Sequence, residues 1–295
     1  MKIIKQIVDY IKATKYNIGF VQEDLQSVVN GAPIHVDWLK HSYKDRWFAD
    51  PFILDVTDDE IIVLVEEWYD PIQRGRISKL VVDRKTFELK HLKVMIDEGT
   101  HLSFPAIERR GGEVYIYPER AGTKLEGYVY DKENDCFVKT GLVSDLPLTD
   151  AVITVFFGER LLFSTKLPDA NGKELGIYFL GKEMSELKLI EYHHFDENVS
   201  RMAGNFFECG GKIYRPAQVC IKSYGDAVSL QQVSVEDGRW MFKEVRRIYS
   251  PNPDLDLGFH TFNILDGVIV VDAMGYRKVK LCNVLRTIKK CCKVI

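Results

Sequence analysis

Carboxylates, arginines and histidines recur in this sequence where strand-forming runs begin and end, and there they could be gathered to do chemistry. Asp50 follows the aromatic pair Trp47-Phe48 and precedes Pro51 and an apolar run, and Glu66 and Glu67 stand where the next run emerges. His101 to Phe104, Asp150, Arg201 to Asn205 and Gly258 to Thr261 hold the same place before a run, while Glu119, Arg215, Gln218 and Asp272 hold the place after one. If the run starts converge, acids, arginines, histidines (His101 and His260) and carboxamides face one pocket. That set suits a polar, hydroxyl-rich or anionic ligand, which charge-assisted hydrogen bonds fix in orientation. Each residue also has a bland alternative. Asp50 and Asp150 could cap turns, Glu66, Glu67 and Glu119 could be solvated strand ends, and Arg201 and Arg215 could pair with neighbouring carboxylates.

The elements that would position these residues repeat. From about residue 45 the chain consists of short β-rich runs split by Gly and Asp turns, and five segments align on those turns, starting at 50, 104, 150, 203 and 259. The spacings are 54, 46, 53 and 56 residues. Units of roughly 40–50 residues with internal turn signals are expected of four-stranded propeller blades. The stretches between them, such as 75–83 with 89–95 and 227–233 with 240–245, alternate as half-solvated outer hairpins should. The reading is all-β, a five-bladed β-propeller with short N- and C-terminal helices. One domain fills 1–295: a helix and lead-in over 1–30, the propeller over 31–278, and a basic tail over 279–295. Residues 3–12 place Ile3, Ile4, Ile7, Val8 and Ile11 on one helical face. Val279 to Ile295 reads as a closing strand followed by a small basic helix.

Composition narrows the function classes. The 295 residues are 46% hydrophobic and 28% charged, with 40 basic and 43 acidic side chains and a formal charge of -3. That balance gives no reason to expect nucleic acid as a partner. Charge interrupts the N-terminal apolar pattern, where a signal peptide needs roughly 7–15 uninterrupted apolar residues, and no run approaches the roughly 20 of a membrane span. A cytoplasmic protein without a membrane span is expected. The six cysteines lack paired metal spacing, and the His193-His194 pair falls on an outer strand, so no metal and no cofactor are expected.

The hairpin repeat opening on Phe48-Ala49-Asp50-Pro51 resembles the five-bladed propellers of glycoside hydrolase family 43 and its relatives. It is more similar still to the N-terminal propeller domain of glucosamine inositolphosphorylceramide transferases and their bacterial stand-alone relatives. The resemblance rests on Trp47 to Phe52 with Glu66 and Glu67, and on His101 to Pro105 with Tyr117 to Glu119. Ser200 to Gly204 with Tyr214 to Gln218 and Tyr224-Gly225 extend it, and Gly258 to Asn263 completes it. It covers roughly residues 30–278. In family 43 a first-blade carboxylate is the general base, a second-blade Asp tunes the acid, and a third-blade Glu is the general acid. Inversion needs the acting carboxyls about 6.5–9.5 Å apart. The resemblance implies Asp50 as base. Phe104 occupies the second-blade place and Asp150 the third, so Asp150 or Glu119 becomes the candidate acid. The implied ligand set is Glu66, Glu67, His101, Arg201, Asn205, Arg215, Gln218, Tyr224 and His260. Two functions follow: an enzyme acting on a glycan, sugar-phosphate, or nucleotide- or lipid-linked sugar in glycan biosynthesis, or a non-catalytic glycan-binding module beside a separate glycosyltransferase.

Overall fold

In a computed structural model that describes residues 12–181, 186–278 and 281–282, twenty strands form five four-stranded sheets. Blade one is β3 (Arg46–Val56), β4 (Glu60–Tyr69), β5 (Arg74–Asp83) and β6 (Leu89–Ile96), in that order outward. Blade two is β7 (Ser103–Arg110), β8 (Glu113–Glu119), β9 (Leu125–Asp131) and β10 (Cys136–Ser144). Blade three is β11 (Leu148–Phe156), β12 (Glu159–Lys166), β13 (Glu174–Leu180) and β14 (Leu187–His194), and blade four is β15 (Phe207–Cys209), β16 (Lys212–Val219), β17 (Ala227–Glu236) and β18 (Arg239–Ile248). The expected five-bladed all-β architecture is therefore present.

Blade five is assembled from both ends of the chain. Its inner strands are β19 (Phe262–Leu265) and β20 (Val268–Tyr276), and its outer strands are β1 (Thr14–Val21) and β2 (Val36–Trp38). β1 pairs antiparallel with β20 from Thr14↔Tyr276 to Val21↔Ile269. This corrects the boundary expected at residue 31, because the lead-in supplies a full blade strand. The N-terminal β1 is thus the strand that joins the two ends of the ring. Between β1 and β2 lies one short helix, α1 (Leu25–Val29), whose first turn is capped by the Asp24 carboxylate accepting from the Ser27 amide at 2.9 Å. The helix expected over 3–12 lies outside the described residues apart from Lys12. The basic tail does too, apart from the helical Leu281 and Cys282.

The blades pack face to face through apolar side chains that alternate along each strand. Phe52, Phe104, Val152 and Phe163 join blades one to three, with Phe52 and Phe104 edge-to-face at 4.9 Å. Val228, Phe259, Phe262 and Ile269 join blades four and five. A propeller has a sheet edge wherever its ring fails to close, and here β1 covers the edge of β20. Removing residues 1–21 should expose that edge and the apolar residues that Ile18 and Phe20 cover, among them Leu39, Phe48, Val63 and Val270. The expected outcome is loss of the single cooperative thermal transition in circular dichroism, together with concentration-dependent aggregation.

Candidate functional site

Three inner strands carry the same irregularity at the same end of the channel. The pairing of β3 with β4 skips between Ala49 and Phe52, that of β7 with β8 between Ser103 and Ala106, and that of β11 with β12 between Thr149 and Val152. At each skip sits a left-handed residue: Asp50 (φ 49°), Phe104 (φ 44°) and Asp150 (φ 48°). Asp tolerates this region better than most residues, while a bulky Phe there is an outlier. Each bulge frees a backbone N–H, and a carboxylate from a neighbouring strand accepts it. Asp272 Oδ2 accepts from Asp50 N at 2.9 Å, Asp50 Oδ2 from Phe104 N at 3.1 Å, and Glu119 Oε2 from Asp150 N at 3.0 Å. The chain of bulges holds the candidate carboxylates in place.

Asp272, on β20, is the anchor of the first group. Its Oδ1 accepts from His260 Nδ1 (2.7 Å) and from the amides of His260 (3.2 Å) and Thr261 (3.0 Å). The Thr261 hydroxyl lies 3.1 Å from both Asp50 Oδ1 and Asp272 Oδ2 and donates to one at a time. His260 Nε2 is 3.4 Å from Asp50 Oδ1. Burial opposes charge on His260, but Asp272 and then Asp50 outweigh it and push the imidazole up to about 9. Burial raises the Asp272 carboxyl, and the attraction of His260 with its hydrogen bonds more than reverses this, leaving it below the ordinary value. Asp50 is pushed up to about 7, first by burial and then by Asp150 and Asp272, with His260 opposing.

Arg201 organises the second group. Its Nε donates to Asp150 Oδ2 at 2.6 Å, Nη2 to Glu119 Oε2 at 3.1 Å and Nη1 to Asn171 Oδ1 at 3.0 Å, and its guanidinium lies 5.1 Å from the Tyr224 ring. Gln218 Nε2 donates to the same Asp150 oxygen at 2.6 Å and to Met202 O at 2.9 Å. Burial, then Asp150, push Glu119 up to about 8 against the pull of Arg201. A side-chain hydrogen bond with Asp150 adds to this rise and favours the protonated form of Glu119.

Glu66 is the third element. Its side chain is buried, with no hydrogen-bond partner among the described residues, and the ring of His101 lies beside it with Nε2 at 3.6 Å. Burial, then the field of Asp50, Glu119 and Asp272, raise it well above the ordinary carboxyl value. His101 Nδ1 accepts the Gly75 amide at 2.9 Å, so the neutral ring carries its proton on Nε2, toward Glu66. Burial, then Arg74, keep this histidine below its ordinary value.

Aromatic rings run beside these groups. Tyr224 meets His260 edge-on (5.4 Å), Tyr16 stacks on His260 (4.8 Å) and touches Trp47 (5.2 Å), Trp47 stacks on Trp68 (5.5 Å, 5°), and Trp68 leans on His101 (6.1 Å). Half-buried rings beside fixed carboxylates form a surface on which the C–H face of a sugar can lie. Tyr16 was missed because it sits on β1, in the segment read as lead-in. Trp47 and Trp68 carried a signal, since both flank the candidate acids and face each other across β3 and β4.

The structure therefore gathers Asp50, Glu66, His101, Glu119, Asp150, Arg201, Gln218, Tyr224 and His260. It leaves three expected residues elsewhere. Glu67 is fully buried on the opposite face of β4 from Glu66, held by Arg46 (2.7 Å), Arg76 (2.9 Å) and Ser78 (2.6 Å). Arg215 is fully buried inside blade four between Phe195 and Phe242, and donates to Gln231 Oε1 at 2.8 Å and to the Ser200 carbonyl. Asn205 bridges strands, its amide donating to Asn263 Oδ1 at 2.8 Å and its Nδ2 to Ile107 O at 2.9 Å. Both glutamates of β4 cannot face the channel, and the arginine satisfies its blade.

Asp50, His260 and Asp272 bring one ligand atom each within 4.8 Å of one another, a spacing that could hold a cation. A cation there would have to displace the His260 proton, because the imidazolium already supplies the positive charge between the two carboxylates.

Solved structures with this architecture include an α-L-arabinofuranosidase from Clostridium thermocellum (14% identity, 78% of this chain and 79% of that one, TM-score 0.51). Another is an α-L-arabinofuranosidase from Lactobacillus brevis (12%, 75% and 80%, TM-score 0.53). At these identities the likeness defines the class of fold, a five-bladed propeller of the glycoside hydrolase family 43 type. Residues 28–252 match the family model described as "Glucosamine inositolphosphorylceramide transferase 1, N-terminal", and the chain belongs to that family. The glucosamine inositolphosphorylceramide transferase 1 of Oryza sativa subsp. japonica is 27% identical over 201 residues, 65% of this chain. The matched stretch spans 27% of that relative's length.

Three of the site's titrations share one sign. His260, Asp50 and Glu119 all have raised folded values, so the folded protein binds more protons than the unfolded chain between their ordinary values and about 7 to 9. Their stabilisation is present below the unfolded values and lost as pH rises through the folded ones. The melting temperature should fall by about 5 °C or more between pH 6 and 9. His260→Gln should flatten the upper part of that fall in calorimetric scans.

Proposed function

We propose that the channel end binds a sugar and that Asp50 and Glu119 act on its glycosidic bond as base and acid. What carries this reading is the pair of buried carboxyls poised at about 7 and about 8 on adjacent blades. General acid–base work is most effective when the group's value lies near the working pH. Asp50 would take the proton of the attacking hydroxyl as its oxygen bonds to the anomeric carbon. Glu119 would give its proton to the leaving oxygen as the old bond breaks. Asp150, the alternative acid, is engaged by Arg201 and Gln218 through one oxygen and serves to position Glu119. His260 and Asp272 hold Asp50, and Glu66, His101 and Tyr224 supply contacts to the sugar hydroxyls. The setting is glycan assembly in the cytoplasm, on a sugar-phosphate or a nucleotide- or lipid-linked sugar. Among the described residues no helix is long and apolar enough to cross a membrane.

The base must be ionised and the acid protonated, so rate should rise with pH through about 7 and fall through about 8. Asp50→Asn and Glu119→Gln should each lower turnover about 10²–10⁴-fold while leaving sugar affinity within a few-fold. Trp68→Ala should weaken sugar binding about two- to tenfold, read by titration calorimetry, because one stacked ring contributes about 0.5–1.5 kcal/mol.

The second reading, a glycan-binding module beside a glycosyltransferase, is favoured by the match to little more than a quarter of the relative's length. Sugar binding that Asp50→Asn leaves intact, with no turnover of any glycoside by the parent chain, would select it.

A further inference from the structure

Beside the aromatic run, between the outer strands of blade five and the start of blade one, lies a cavity of about 490 Å³. Among the described residues its basic lining is Lys15, Lys40, His41, Lys44, Arg46 and Arg277, and no carboxylate lines it. Neighbouring acids neutralise two of the six. Arg46 is bound by Asp45 and Glu67, and Arg277 is held in two-pronged fashion by Asp70. Lys40 Nζ donates to the Thr86 carbonyl at 2.7 Å. Lys15 and Lys44 have no hydrogen-bond or ion-pair partner among the described residues, although both face the cavity. His41 sits with its Nδ1 buried and unpartnered, its ring edge-on to Phe48 at 5.2 Å. A buried ring nitrogen without a partner and two unpaired ammonium groups together form a donor-rich, acceptor-poor wall.

We propose that this cavity is a second binding site and takes the phosphate or phosphodiester group of the ligand whose sugar occupies the channel. The proposal rests on the sugar reading of the channel for the identity of the other half of that ligand. The two sites share walls, because Tyr16 and Trp47 line the cavity and also belong to the aromatic run that reaches His260. Their fields are opposite. The channel end carries Asp50, Glu66, Glu119, Asp150 and Asp272 against only Arg201 and His260, which disfavours a phosphate there. A ligand with a neutral or amine-bearing sugar at one end and a phosphate at the other fits the two sites in a single orientation.

The test uses titration calorimetry on the full chain, with inorganic phosphate and glucose 1-phosphate as soluble probes. Co-sedimentation with vesicles of phosphatidylcholine, with and without phosphatidylinositol, gives the lipid arm. The parent should bind glucose 1-phosphate, and Lys15→Gln with Lys44→Gln should weaken it about tenfold or more and abolish binding of inorganic phosphate. Lys15→Arg with Lys44→Arg should keep both, and the unpaired lysines leave the melting temperature unchanged. Lysine-dependent loss from phosphatidylinositol vesicles assigns the phosphate to a lipid headgroup. Loss confined to the soluble probes assigns it to a free sugar phosphate. Asp50→Asn should leave inorganic phosphate binding as in the parent. If phosphate binds through the two lysines while a neutral methyl glycoside does not change tryptophan fluorescence, the channel reading fails and the phosphate site stands. Absence of phosphate and glucose 1-phosphate binding in the parent, or equal binding by the glutamine variant, overturns the proposal.

Discussion

A single buried carboxylate, Asp272, fixes both the closure of the ring and the shape of the site. It stands on β20, the strand that β1 must cover, and it accepts the Asp50 amide freed by the bulge of blade one. The same group neutralises His260 and orders Thr261. The left-handed turn at Asp50, the aim of its carboxylate and the seam between the last and first blades thus share one set of hydrogen bonds. Breaking a buried charge pair of this kind costs about 3–5 kcal/mol. The charge is retained where an apolar residue would pack more stably, as expected where geometry serves a ligand.

The remaining buried charges divide the channel end into sectors with different proton affinities. Arg201 compensates Asp150 and Glu119, His260 compensates Asp272 and Asp50, and Glu66 has only the neutral His101 beside it. Five carboxyls share two cations, so full ionisation is unfavourable and protons collect on Asp50, Glu119 and Glu66. Burial first, and crowding of acids second, produce groups that hold and release protons near neutrality. Arg277 and Arg46, a short way along the rim, are neutralised by their own carboxylates, and this leaves the surplus positive charge on Lys15, Lys40 and Lys44.

Much of this was legible in the sequence because blade starts are punctuated by residues that tolerate a left-handed backbone. Asp50, Phe104 and Asp150, aligned by spacing alone, proved to be the three bulged residues, and the acids among them do converge. Glu66 and Glu67 could not be separated in this way. β4 is buried on both faces, so its run from Ile61 to Val65 shows no alternation to fix which neighbour points inward. Arg215 looked unusual in a strand and is unusual, but its explanation lies in the aromatic rings on either side, brought there from other strands. Residues 14–21 escaped notice because a strand is recognised through its partner, and this one pairs with a segment at the far end of the chain.

That separation bears on when the protein can work during its own synthesis. Thr14 and its neighbours leave the ribosome well before β20, and the edge of β1 that meets β20 stays uncovered until Tyr276 follows, 262 positions later. At about 5–20 residues per second the wait is roughly 13–50 s. Tyr16 joins the aromatic run only when β1 docks, so that run is complete only after the two distant segments have paired. A nascent chain that has not yet reached β20 lacks a finished rim, so under the proposed function its binding surface is complete only when the ring is.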